Sequence, residues 1–120
     1  MARFDRATER LKRHRRIRRK IRGTSERPRL CVTKTLRYLY AQVIDDEAGR
    51  TLVQASTIEP EIRGDVSGPN VSAAEKLGTI LAERASKDGI EAVVFDRGGH
   101  PYHGVISSFA EACRKGGLRF

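Results

Sequence analysis

The chain has 120 residues and a formal net charge of +9, with 24 Lys or Arg against 15 Asp or Glu and 38% hydrophobic residues. That length fits one domain with a modest core and leaves no room for a second. The apolar runs fall far short of the ~20 residues needed to span a bilayer. Nor does an apolar stretch follow the N-terminal charges as in a signal peptide, so the expected location is the cytosol. There Cys31 and Cys113, far apart in sequence, are expected to remain free thiols.

The charge is segregated. From Arg3 to Arg29 there are 13 Lys or Arg against Asp5, Glu9 and Glu26, a net of +10, while residues 30–120 sum to −1. A protein that needed only solubility would scatter its cations. An arm of this kind, rich in arginine whose planar fork pairs with phosphate, points to nucleic acid. The membrane-surface alternative has too little apolar area in Phe4, Leu11, Ile17 and Ile21 to insert. Phe4, Ala7, Leu11, His14, Ile17 and Ile21 recur every three or four residues, so a helix would collect them on one stripe. Like-charge pairs such as Lys12/Arg16, Arg15/Arg19, Arg16/Lys20 and Arg18/Arg22 oppose that helix in water. The arm, residues 1–28, is therefore expected to become helical on binding, with Gly23 as its stop.

From Arg29 the period changes to two. RLCVTK and RYLYAQVID read as a hairpin, DDEAG as a turn and RTLVQASTI as a third strand. Tyr38, Tyr40, Gln42 and Ile44 fall on one face of the second strand, and Leu39, Ala41 and Val43 on the other, which is the core side. EPEIRGDVSGPN, with its prolines, glycines and charges, reads as a loop. Ser72-Ala-Ala-Glu75 matches a capping box that opens a helix with the stripe Leu77, Ile80, Leu81 and Ala85, ending at Gly89. EAVVFD is a short buried strand. A last helix from about Val105 packs Ile106, Phe109, Ala110 and Cys113. The predicted fold is α/β: residues 29–120 form a mixed four-stranded sheet, a three-strand meander plus one strand reached by a helical crossover. Two helices cover one face, leaving the tyrosine face free.

Of the chemical constellations, FDRGGHPYHG is the densest. Pairing Asp96 with His103, with Ser107 or Ser108 as nucleophile, would give an RNA-processing or RNA-modifying enzyme. No nucleophile elbow or Walker pattern supports it, and the loop reads equally as a glycine-rich turn or as an RNA contact through Arg97 and the rings. His14, His100, His103, Cys31 and Cys113 show no metal-binding spacing, so no metal or cofactor is expected.

RYLYAQVIDD, the Ala55-Ser56 end of the third strand and above all VVFDRGGHPYHG followed by EACRKGGLRF closely resemble the bacterial large-subunit ribosomal protein eighteen family. The match covers essentially all of residues 29–120, with a basic arm before it. The resemblance implies a non-catalytic structural protein of the cytoplasmic large ribosomal subunit. It would bind 5S rRNA, touch 23S rRNA and neighbour other 5S-binding proteins in the central protuberance, with no small-molecule substrate and no membrane. Where the family carries Arg-Ser and then His before the I-Y-A-Q run, this chain has Lys34-Thr35 and Tyr38, which keep a cation, a hydroxyl and a ring. Val105 stands where the family commonly has arginine, and the central loop is acidic at Glu59, Glu61 and Asp65. The RNA-binding set expected from charge and resemblance together is Arg3, Arg6, Arg10, Lys12, Arg13, Arg15, Arg16, Arg18, Arg19, Lys20 and Arg22 on the arm, with Arg29, Lys34, Thr35, Arg37, Tyr38, Tyr40, Arg97, Tyr102 and His103 on the domain.

Overall fold

The protein is described by a computed structural model covering residues 6–20, 23–63 and 68–120. In chain order it has α1 (Arg6–Lys20), β1 (Arg29–Lys34), β2 (Leu39–Asp45), β3 (Arg50–Ser56), α2 (Pro60–Arg63), α3 (Val71–Lys87), β4 (Val94–Asp96) and α4 (Val105–Lys115). Alternation in RLCVTK, LYAQVID and RTLVQAS sends Leu30, Val32, Leu39, Ala41, Val43, Val53 and Ala55 to one side of the sheet, and all are buried. The strands run β3-β2-β1-β4, antiparallel within the meander and parallel between β1 and β4, as the mixed-sheet reading requires.

Helices α3 and α4 cover that apolar side with Ala73, Ala74, Leu77, Leu81 and Ala85 from one and Ile106, Phe109 and Cys113 from the other. They meet closely because residue 78 is glycine: a Cβ there would lie 2.7 Å from both the Ala112 methyl and the Phe109 carbonyl oxygen. Beyond β4, a bridge between Ala92 and Arg119, with Val93 N–H donating to the Arg119 carbonyl (3.0 Å), brings the C-terminal segment alongside. Phe95 then stacks on Phe109 and Phe120.

Three local expectations are corrected. The stretch read as a plain loop contains α2, because Pro60 suits a first helical turn and Ile62 is fully buried in the core. Glu59 steadies it by accepting from Ser56 N–H (2.8 Å) and from Arg84 (2.9 Å); Asp65, in the same stretch, lies outside the described residues. The cap of α3 is Asn70, whose side chain accepts from Ala73 N–H at 2.8 Å, so the helix starts before the Ser72 box. Tyr38 precedes β2 and closes the hairpin turn, with Thr35 N–H donating to its carbonyl (2.9 Å).

Candidate nucleic-acid interface

Helix α1 is seated by polar contacts. Arg10 Nη1 donates to Gly98 O (3.0 Å), Arg13 Nε to Gly99 O (3.0 Å), and His14 Nε2 lies 3.0 Å from Asp96 Oδ2. Leu11, a member of the predicted apolar stripe, is 46% exposed. α1 is helical over Arg6–Lys20 with these polar contacts in place, and they help to offset its like-charge pairs. Phe4 and Ile21, like Arg3 and Arg22, lie outside the described residues. So do the side chains of Arg6, Ile17, Arg18, Arg19 and Lys20, although their backbones belong to α1.

Asp96 is the hub of the contact between arm and sheet. Fully buried, it accepts from Arg29 Nη1 (2.8 Å), from Gly98 N–H (2.9 Å) and from His14. Burial alone would raise its pKa, but the hydrogen bonds from His14 and Gly98, the His14 charge and Arg29 outweigh it and hold the carboxyl below its usual range. An ionised carboxylate only accepts, so His14 Nε2 carries the proton. Arg29 also makes a two-pronged contact with Asp46, Nε to Oδ2 at 3.1 Å and Nη2 to Oδ1 at 3.2 Å. Burial opposes its charge, but the two carboxylates more than offset this and raise its pKa. Arg29 was expected on RNA; the structure puts it inside, only 7% exposed, neutralised by Asp46 and Asp96.

Sequence spacing alone did not bring together His14, Cys31 and Asp96, whose donor atoms all lie within 4.8 Å of one another. The cation of this cluster is Arg29. Burial, then Asp96, pushes the Cys31 thiol up to about 11, so it stays protonated. Burial pushes Cys113 up to about 12, and both cysteines are free thiols.

The hairpin tip stands beside this hub. Lys34 and Arg37 are exposed, and Leu36 between them is 92% exposed. Thr35 Oγ1 accepts from Tyr38 N–H (3.1 Å), so that hydroxyl also shapes the turn. Lys34 N–H donates to His100 Nε2 (3.2 Å), joining the tip to the 97–100 loop that carries α1. Burial first, then the charges of Arg10, Lys34, Arg13 and His14, lower the His100 pKa to about 4. Arg97 is exposed on that loop. The half-buried rings of Tyr38 and Tyr40 meet edge to face at 6.4 Å. On the sheet face away from α3 and α4, Tyr40 pairs with Thr33 and Ser56, and Gln42 with Cys31 and Gln54.

Two further expected residues are placed elsewhere. Tyr102 packs edge-on against Phe95 (6.1 Å), and its hydroxyl accepts from Arg114 Nη1 (3.1 Å). Since Phe95 pairs with Leu30 and stacks on Phe109, Tyr102 belongs to the helix side and not to the Tyr38/Tyr40 face. His103 is exposed, and Asp96 is bonded to Arg29, His14 and Gly98 in place of the His103 partner that the enzyme alternative required.

A family model described as "Ribosomal L18 of archaea, bacteria, mitoch. and chloroplast" matches residues 4–120. The chain belongs to the ribosomal L18 family. It is 56% identical to the "Large ribosomal subunit protein uL18" of Caldicellulosiruptor saccharolyticus over 97% of this chain and 94% of the relative. Proteins of the same name from Heliobacterium modesticaldum (51% identity; 98% and 97% of the two chains) and Aquifex aeolicus (53%; 96% and 95%) are also similar. L18 proteins are structural components of the large ribosomal subunit, a cytoplasmic particle in bacteria, and not enzymes. On this L18 chain, the cations of the expected RNA-binding set that are described, exposed and not bonded through their side chains to the domain are Lys12, Arg15 and Arg16 on α1, with Lys34, Arg37 and Arg97 on the domain. Charge counting had found all six, but could not separate them from Arg10, Arg13 and Arg29, which are engaged within the protein.

Proposed function

We propose that this chain binds 5S rRNA and helps attach it to 23S rRNA in the central protuberance, beside other 5S-binding proteins. The observation that carries this reading is the continuity of arm, 97–100 loop and hairpin tip. Arg10 and Arg13 join the first two, and the Lys34–His100 bond joins the last two. Lys12, Arg15, Arg16, Lys34, Arg37 and Arg97 would meet phosphates of folded RNA, while Tyr38 and Tyr40 offer rings to unstacked bases. Gln42, Gln54 and Ser56 add donors and acceptors for backbone and 2′-hydroxyl groups on the same face.

The test is titration of 5S rRNA and an unrelated RNA of equal length over a range of salt. With roughly six to ten phosphate contacts, affinity should fall about 10³ to 10⁵-fold between ~50 and ~200 mM salt. Removing residues 1–22 should flatten that dependence, and a footprint on 5S rRNA should shrink with the arm gone. Equal affinity for the two RNAs would refute specific 5S binding, and an unchanged salt slope would remove the arm from the contact.

A further inference from the structure

Among the described side chains of α1, two sets of basic residues have identical spacing. Arg10, Arg13 and His14 stand at i, i+3 and i+4, and so do Lys12, Arg15 and Arg16, displaced by two positions. At 3.6 residues per turn, two positions are a rotation of about 200°, so the sets occupy opposite faces. All three members of the first set bond to the 96–99 segment. Within the second, Lys12 lies only 3.5 Å from Glu9 at the surface, and Arg15 and Arg16 are exposed.

The 98–99 backbone is built for this approach. Gly98 and Gly99 have φ of +65° and +80°, a region that L side chains rarely adopt. A Cβ on Gly99 would lie 2.5 Å from the Arg10 carbonyl oxygen and 3.1 Å from His14 N, so α1 reaches the loop only because that atom is missing. A Cβ on Gly98 would meet the Val32 carbonyl oxygen at 2.6 Å, so the loop is pressed against β1 at the same point. The seam is thus backbone against backbone, fastened by two guanidinium–carbonyl bonds and one histidine–carboxylate bond, with Leu11 left in solvent. Its basic side chains crowd His100, whose pKa they help to lower, and His14 among them bonds to Asp96.

We propose that Arg10, Arg13 and His14 are positioning residues that latch α1 to the 96–99 segment, holding Lys12, Arg15 and Arg16 at a fixed angle to the hairpin tip for RNA. This rests on the RNA-binding reading above. The arm then binds as a prepared rigid arm with little ordering cost, and not as a chain that folds around its target. The latch residues act on affinity through the geometry of the others and form no phosphate contacts themselves.

Three proteins are compared with the full-length wild type: Gly99→Ala, which blocks the approach; Arg10→Gln/Arg13→Gln, which unfastens it without straining the loop; and Lys12→Gln/Arg16→Gln, which alters only the outer face. Amide exchange in the free proteins reads the latch without RNA. In both latch variants, protection of residues 10–20 should fall by about tenfold or more while β2 amides keep theirs, and the outer variant should keep both. With 5S rRNA, the latch variants should lose about tenfold in affinity at fixed salt with an unchanged slope of log K against log salt. The outer variant should lower the slope by up to about 0.7–0.9 for each phosphate contact removed. Retained arm protection in Arg10→Gln/Arg13→Gln overturns the latch, and a reduced salt slope in that variant overturns the positioning role by making those arginines phosphate contacts. Failure of the wild type to prefer 5S rRNA would sink the function proposed above, while the exchange data would still judge the latch.

Discussion

Replacing Arg29 by alanine separates two accounts of this residue. As a surface phosphate contact, its loss would weaken RNA binding and leave the fold intact. In the structure, the guanidinium lies between Asp46 and Asp96 with bonds of 3.1, 3.2 and 2.8 Å. Removing it takes the neutralising cation from two carboxylates, one of them fully buried, and leaves Asp96 the bonds from His14 and Gly98. Breaking such a pair from one side costs about 3–5 kcal/mol, far more than a surface ion pair contributes. At roughly 4 °C per kcal/mol for a chain of this size, the melting temperature should fall by about 12–20 °C. The pH dependence follows from Asp96, whose folded-state pKa is depressed below its unfolded value of about 3.9. Its stabilisation is therefore complete above that value and is lost as pH falls through the folded value. Without Arg29 the folded pKa rises toward the unfolded one, so wild type and variant should converge as the medium is acidified. Adding Asp96→Asn to the Arg29→Ala protein should recover about 1 kcal/mol or more by removing one stranded charge. Circular dichroism melts at pH 7 and at about pH 2, below the unfolded carboxyl value, measure all three quantities. A melting temperature within ~2 °C of wild type, together with weakened RNA binding, would refute the buried-hub account.

Tyr38→Ala should weaken 5S binding by about 1–3 kcal/mol, the usual worth of a stacked base, with a melting temperature lowered by less than ~5 °C because the ring is only half-buried. Collapse of the fold with affinity preserved in the folded fraction would instead make the ring a core group. His100 must be neutral to accept the Lys34 N–H, and its folded pKa of about 4 lies below its unfolded value. Stability is therefore full above pH ~6.5 and should decline by about 1–2 kcal/mol as pH falls toward 4, a figure discounted for partial exposure. Denaturant midpoints should show this slope diminished in His100→Gln. Gly78→Ala should cost about 1–3 kcal/mol by wedging α3 from α4, with the RNA salt slope unaltered because that contact lies across the sheet from the tyrosines. Chemical denaturation and the salt titration together check both halves.

What could be read from the sequence was what local periodicity encodes. Leu39, Ala41 and Val43 alternate with Tyr40 and Gln42 over a single strand, and Leu77, Leu81 and Ala85 repeat within a single helix, so their faces were legible. α2 was not, because four residues hold no period and Ile62 is identified as core only by what surrounds it. Helical order in the arm was legible from its stripe, but not its seat, since His14 meets Asp96 across 82 positions and Arg10 meets Gly98 across 88. The same distance hid the fate of Arg29, whose partners stand 17 and 67 positions away. A phosphate-seeking arginine and a structural one look identical until the fold brings a carboxylate to one of them.

The order of strands has a consequence for how the chain is made. β1 lies between β2, which follows it almost at once, and β4, which pairs from Arg29↔Val94 onward, 65 positions later. Closing so long a segment is slow compared with forming the neighbouring hairpin, and synthesis itself delivers β4 last. During that interval β1, an inner strand of the finished sheet, is an edge, with a row of open amides and carbonyls able to pair with another unfinished copy. The segment that enters β1 is the most highly charged in the protein, +10 between Arg3 and Arg29. Two nascent chains approaching edge to edge would bring those charges together, and their repulsion opposes such pairing until β4 arrives.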